Sequence, residues 1–254
     1  MGRDQKFALV TGCGKGGIGE ALVLEYTRRG VHAIATVLPN EDSDHLTTAG
    51  ITWFPLDVRD EKSVIHLKEE ILAVTNGYLD FLVNNAGICY TMTAIDTDVN
   101  SVKRMFEVNV FGPMQMVHHF HDMLIRAAGT IVNIGSIGGV VPYMYGASYN
   151  ASKAALHHYS NTLRLEMSPF NVKVITRLTG GMQKVISGEV GTNILKNDVN
   201  RKLPEELKVI PSTVALDRKR HQHNSIFGYD FFFYREFNLD KVKKAHLANA
   251  KKDD

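Results

Sequence analysis

The stretch Lys6–Gly30, KFALVTGCGKGGIGEALVLEYTRRG, decides the architecture. Lys6–Thr11 is a short apolar run of the kind that forms a buried strand, and Glu20–Arg29 carries apolar residues at helical spacing until Gly30 stops it. Between them lies Thr11-Gly12-Cys13-Gly14-Lys15-Gly16-Gly17-Ile18-Gly19. Glycines at a strand–helix junction let the backbone turn sharply and let an anion approach amides that a Cβ would block. The helix that follows offers free N–H groups and the positive end of its dipole to the same anion. A tight turn with no ligand is the other reading of such a loop taken alone.

The alternation continues along the chain. Val31–Thr36 reads as a second strand and Ile51–Leu56 as a third, with Pro55 near its end. Asp60–Thr75 reads as a helix capped by Asp60, with Val64, Leu67, Ile71 and Val74 at helical spacing. Asp80–Val83 is a fourth strand running into Asn84-Asn85-Ala86-Gly87, and Val99–Ala127 a long helical stretch with a bend expected near Gly112-Pro113. Thr130–Ile134, the helix Ser148–Met167 and the strand Val172–Thr176 complete the pattern. Strands separated by helices require a parallel sheet covered on both faces. The expectation is an α/β fold: a single doubly wound Rossmann-type domain over residues 1–254, with six to seven parallel strands and helices on both faces. After Met182 the pattern degrades and Pro204 and Pro211 interrupt any long helix, so residues 183–254 read as a divergent substrate-lid and C-terminal region.

Composition narrows the function classes. The 254 residues carry 29 basic and 27 acidic side chains, a net charge of +2 that argues against nucleic acid as the main partner. Two cysteines, Cys13 and Cys89, are too few for a disulfide framework or a cysteine-rich zinc site, and no metal is assigned. The charged start MGRDQK reads as no secretory signal, and no window approaches the roughly 18 apolar residues of a membrane span. The expectation is a reduced, cytoplasmic protein. The aromatic run Phe231–Tyr234 reads either as core or as a membrane-surface contact on endoplasmic reticulum or lipid droplets, and Lys251-Lys252-Asp253-Asp254 as a solvated end.

Two features bear on chemistry. A dinucleotide fold that prefers NAD places an acid at the end of its second strand, for the ribose 2′-hydroxyl. Here that strand ends Ala35-Thr36-Val37-Leu38, with no carboxylate until Glu41 and Asp42. Together with Lys15 as a cationic partner for a 2′-phosphate, this favours NADPH, although Lys15 also reads as a solvated loop lysine. The second feature is Tyr149-Asn150-Ala151-Ser152-Lys153. Residues four apart share a helix face, so the Lys153 ammonium is expected beside the Tyr149 phenol, lowering its pKa and making it a usable acid. Ser136, in Gly135-Ser136-Ile137-Gly138-Gly139, follows the carboxyl end of strand five, where open α/β sheets bind ligands.

With these residues in order, the sequence resembles the short-chain dehydrogenases/reductases over roughly residues 6–182. The shared motifs are Gly12…Gly17-Ile18-Gly19, Asp57-Val58, Asn84-Asn85-Ala86-Gly87, Asn109, Ser136 and Tyr149…Lys153. Within that family it is most similar to fungal NADPH-dependent 1-acyldihydroxyacetone-phosphate reductases. The resemblance implies that Tyr149 protonates the carbonyl oxygen, that Lys153 tunes it and binds the nicotinamide ribose, that Ser136 binds the substrate oxygen, and that Asn109 holds a relay water. It further implies that Asp57 and Val58 contact the adenine, and that Asn85, Ala86 and Gly87 line the cofactor groove, closed by Thr179 and Gly180. Asn84 and Asn85 can equally brace the sheet, and Asn109 can serve the backbone near the bend. The implied reaction is NADPH-dependent transfer of the pro-S hydride to a ketone. Substrates to weigh are 1-acyldihydroxyacetone phosphate or a lipophilic ketone of secondary metabolism. A non-catalytic NADP(H)-binding regulator is the alternative from another class. Family members pair through the helices carrying Asn109 and Tyr149, so a homo-oligomer is expected. The relatives' Arg near the end of strand two is Leu38 here.

Overall fold

The computed structural model describes residues 5–179, and the readings placed on Gly180, on 183–254 and on Phe231–Tyr234 lie outside them. Residues 5–142 and 146–179 belong to one compact unit; of a second unit only Tyr143–Tyr145 falls among the described residues.

Among the described residues six strands form one parallel sheet: β1 (Phe7–Val10), β2 (His32–Val37), β3 (Thr52–Pro55), β4 (Phe81–Asn84), β5 (Thr130–Ser136) and β6 (Lys173–Thr179). Their order is β3-β2-β1-β4-β5-β6, the doubly wound arrangement whose direction of growth reverses between β1 and β4. Helices α1 (Ile18–Arg28), α2 (Asp44–Thr48), α3 (Glu61–Thr75), α4 (Val99–Phe106), α5 (Gly112–Ala127) and α6 (Ala147–Met167) fill the connections. Alternate residues of one strand enter different cores. Leu9 of β1 and Ile34 of β2 join Leu67, Ile71, Met116, Phe120 and Leu163, whereas Val10 and Ala35 join Val23 of α1 and Leu46 of α2. Because both their faces are covered, β1, β2 and β4 are buried nearly throughout, whereas β6 (KVITRLT) buries Val174 and exposes Lys173, Ile175 and Arg177.

Two departures from the expected elements shape the site. The predicted helix over Val99–Ala127 is interrupted by a π-helical turn, Glu107–Phe111, between α4 and α5. Pro113 has no N–H, so a continuous α-helix could not supply a donor to the Asn109 carbonyl. The chain takes the wider turn instead, a form that recurs at functional sites. Strand β5 also runs two residues further than expected, because Gly135 and Ser136 pair in register with Leu178 and Thr179 of β6. Ser136 is therefore the last residue of a strand, paired with Thr179 of β6, rather than part of a loop. Elsewhere local rules suffice: Asp60 caps α3 by accepting from the Lys62 amide at 3.0 Å, as expected.

Candidate active site

Nucleotide-binding sites of such sheets lie where the growth direction reverses, here above the carboxyl ends of β1 and β4. The loops leaving these strands are locked together. Thr11 Oγ1 accepts from the amides of Asn85 and Ala86, both at 3.0 Å, and Asn85 Nδ2 donates to the carbonyls of Thr11 and Gly12, both at 2.8 Å. The approach leaves no room for side chains. A Cβ on Gly12 would lie 2.8 Å from the Ala86 Cα, and one on Gly19 would lie 2.8 Å from Asn85 Nδ2. Gly12 and Gly16 also take left-handed backbone conformations, φ +70° and +75°. Helix α1 begins at Gly17 with no side-chain cap, so its first-turn amides face an incoming anion bare. This cradle fits a dinucleotide pyrophosphate, with Gly17, Ile18 and Gly19 as its floor.

Around the cradle the charges are mixed. Lys15 is exposed at its rim. Glu20 accepts from the Gly16 amide at 2.5 Å, and the Glu41 carboxylate folds over Gly14 while accepting from the Leu38 amide at 3.2 Å. At the end of β3, the Asp57 carboxylate is gripped by Arg59, whose guanidinium holds it below its ordinary range. Val58, expected at the adenine, puts its side chain in the core against Gly112, because that glycine leaves a hole only an aliphatic group fills; at most its backbone is offered to a ligand.

The second half of the site hangs from α6. Lys153 is only 5% exposed, donates to the Ile134 carbonyl at 2.9 Å, and has its Nζ 5.8 Å from the centre of the Tyr149 ring. Burial pushes its pKa down to about 8. Tyr149 departs from the sequence expectation. Its pKa is raised, chiefly by burial, while a hydrogen bond with the Ser136 side chain works in the opposite direction. Lys153 directs its ammonium at a backbone carbonyl, and desolvation sets the direction of the shift. The consequence favours proton donation: the phenol stays protonated throughout the neutral range. Ser136 is buried, and its hydroxyl accepts from the Gly138 amide at 3.1 Å. Thr179, opposite it on β6, donates to the Gly135 carbonyl at 2.8 Å.

Asn109, on the π turn, is fully buried behind this group. Its Oδ1 accepts from the Ile88 amide, and its two amide protons go to the Ile88 carbonyl at 2.9 Å and to Ser152 Oγ at 3.1 Å. Both side-chain protons of Asn109 are therefore committed to protein partners, and none is left to donate to the relay water implied by the resemblance. The side chain instead ties Ile88 to Ser152 in the second turn of α6. Gly87 completes the contact: a Cβ there would lie 3.3 Å from Asn109 Oδ1 and 3.6 Å from Lys153 Nζ. Asn84 turns away from the crevice and braces the sheet, donating to Asn133 Oδ1 at 2.8 Å, with Asn133 donating in turn to Ser160 at 2.8 Å. Sequence reading missed Thr11, Ser152 and His157 as parts of this machinery; their spacing from Tyr149 along α6 is the signal that could have found the last two.

A glycine cradle at the switch point, with buried Ser136 and Lys153 and half-buried Tyr149 across the crevice, defines a nucleotide-dependent α/β oxidoreductase. The profile of the short chain dehydrogenase family matches residues 6–194, and the chain belongs to that family. It is 67% identical to the short-chain dehydrogenase virD of Hypocrea virens over the whole of both chains. It is 47% identical to the NADPH-dependent 1-acyldihydroxyacetone phosphate reductase of Schizosaccharomyces pombe, across 74% of this chain and 64% of that one. Among solved structures, a metagenomic short-chain oxidoreductase in complex with NADP superposes with a TM-score of 0.62 at 26% identity, over 70% of this chain and 83% of the other.

Proposed function

We propose that the protein is an NADPH-dependent carbonyl reductase. One observation carries this reading: Ser136, Tyr149 and Lys153 converge at the carboxyl end of β5, across from a glycine cradle shaped for a dinucleotide. When bound there, the nicotinamide cofactor supplies a hydride to the carbonyl carbon. The chain's own residues do the rest. The Ser136 hydroxyl donates a hydrogen bond to the substrate oxygen, and the protonated Tyr149 phenol delivers H⁺ to it as negative charge develops. The phenolate left behind is stabilised by the Lys153 ammonium and the Ser136 hydroxyl until it regains a proton. Lys15 and the absence of an acid on β2 support NADPH, as does the NADPH dependence of the yeast relative.

The substrate we infer is a ketone with apolar flanks. Ile88, Ile137 and Val140 are exposed on the segments that follow β4 and β5, beside Asn109 and Ser136. A lipophilic ketone of secondary metabolism meets that description on both sides, whereas an acyl-dihydroxyacetone phosphate meets it through its acyl chain and carries a charged phosphate on the other flank. Self-association is proposed through the faces carrying Phe111, on the π turn, and Leu165, on α6, which are 51% and 70% exposed. We place the protein in the cytoplasm, with contact to a membrane surface to be read by co-sedimentation with vesicles. The deciding experiment is a ketone panel followed by NADPH absorbance, run beside NADH. Turnover of at least one ketone with NADPH is expected. NADPH bound but unconsumed across the whole panel would instead establish a regulator.

A further inference from the structure

Tyr149 and Lys153 have a third companion on their face of α6. Positions 149, 153 and 157 are successive steps of four along one helix, and His157 points at the same end of β5 that Lys153 reads. Lys153 donates to the carbonyl of Ile134, and His157 Nε2 accepts from the amide of Ser136 at 3.3 Å. The ring sits in a notch cut by two glycines. A Cβ on Gly135 would lie 2.9 Å from its Cδ2, and one on Gly139 would lie 2.7 Å from its Nδ1. Thus the motif Gly135-Ser136-Ile137-Gly138-Gly139 carries glycine on either side of Ser136 because an imidazole fills the space.

The hydrogen bond fixes the ring's chemistry. An amide can only donate, so Nε2 must hold a lone pair and the proton of the neutral ring must be on Nδ1. Burial, and then the Lys153 ammonium one turn away, lower the His157 pKa and keep the ring in that form. We propose that His157 is a positioning residue for reduction: by accepting from the Ser136 amide within the two-glycine notch, it sets the direction in which the Ser136 hydroxyl meets the substrate oxygen. This inference rests on the reading of Ser136 as the donor to that oxygen.

The test compares His157→Gln, His157→Leu, Ser136→Ala and the double variant Ser136→Ala/His157→Leu. Glutamine can place a carbonyl oxygen near the position of Nε2; leucine fills space without accepting. For His157→Leu, kcat is expected to fall about 10- to 100-fold with the NADPH Kd unchanged, the scale on which small misplacements act. His157→Gln should recover to within about threefold of the native enzyme. In the Ser136→Ala background, His157→Leu should cost nothing further, because the two changes remove one interaction. Equal losses for glutamine and leucine, or full additivity in the double variant, would overturn the proposal. A readout independent of turnover is the long-range ¹H–¹⁵N spectrum of the imidazole at neutral pH. An Nδ1–H tautomer is expected, and an Nε2–H or doubly protonated ring would refute the assignment even if no ketone is reduced. Conversely, an Nδ1–H ring in a protein inert toward every ketone would sink the reductase reading and leave the contact standing.

Discussion

The two halves of the crevice work by opposite means. Above β1 and β4 the site is made of absences: Gly12, Gly17 and Gly19 lack the Cβ atoms that would strike Ala86, the Gly14 carbonyl and Asn85, and the first-turn amides of α1 carry no side-chain cap. Above β5 it is made of buried polar side chains, Asn109, Ser136, Ser152 and Lys153, each held by named partners. The first half tolerates almost no added volume. The second tolerates almost no lost hydrogen bond, because a buried polar group left unpaired costs its full desolvation. Substitutions should therefore fail differently in the two halves: binding lost by enlargement on one side, chemistry lost by truncation on the other.

The largest effect belongs to the second half. Tyr149→Phe removes one oxygen and no volume from the packing, so the fold and the NADPH Kd should be retained. Reductive kcat should fall about 10²- to 10⁴-fold, the usual share of a general acid. Fluorescence titration of NADPH beside steady-state kinetics checks this; retained turnover would remove Tyr149 from the mechanism. Next comes the first half. Gly19→Val would place a Cβ 2.8 Å from Asn85 Nδ2 and 2.9 Å from the Cys13 Cα, disrupting the bond between the two loops. Dinucleotide binding should weaken more than tenfold and Tm should fall, with overpacking of this kind costing about 1–3 kcal/mol. Gly16→Ala is the control, since open space surrounds that position. Its cost is confined to the left-handed backbone, about 1–2 kcal/mol, with binding retained.

How much of this was legible in the sequence follows from the same contrast. Glycine clusters are visible in one dimension because their meaning is local: a strand, a turn without side chains, a helix. The glycine loop and the doubly wound parallel class could be read for that reason. Tyr149 and Lys153 were visible as a helical i, i+4 pair, but the sign of the Tyr149 shift was not, since it depends on how deeply the phenol is buried and where the ammonium points. Asn109 shows the limit. Its position was legible, yet its bonds reach Ile88 and Ser152, 21 and 43 residues away, through a π turn that no periodicity announces. Val58 likewise reads as a ligand residue until Gly112 is seen to receive it.

A pH series separates the halves without mutation. Lys153 has its pKa lowered from an ordinary 10.5 to about 8, with burial as the main cause. Below about pH 8 its ammonium is present to support the Tyr149 phenolate, and above it that support is lost. The kcat/KM for reduction should therefore decline on the alkaline side with a midpoint near 8, and Lys153→Met should abolish this limb along with most activity. Stability should move the other way. Between about 8 and 10.5 the unfolded chain binds the proton that the folded chain has released, so unfolding free energy rises with pH across that window. Thermal melts and initial rates on the same samples check both directions, and a rate and a Tm that fall together would mean that another group governs the alkaline limb.

The smallest expected effect sharpens the nucleotide half. Glu41 lies beyond the end of β2, where no acid stands on the strand itself, yet its carboxylate returns over Gly14. A 2′-phosphate at this rim would meet Lys15 and Glu41 together, one attractive and one repulsive, whereas a 2′-hydroxyl meets no charge penalty. Glu41→Ala should therefore tighten NADPH while leaving NADH nearly unchanged. The ratio of the two Kd values should shift by about fivefold, the Coulomb scale of two charges 4 Å apart in water, and the shift should shrink at high salt because the rim is exposed. Lys15→Ala should shift the ratio the opposite way by a similar factor. If both substitutions left the ratio where it was, the phosphate would be read by neither side chain, and discrimination between the two dinucleotides would have to come from residues away from the glycine loop.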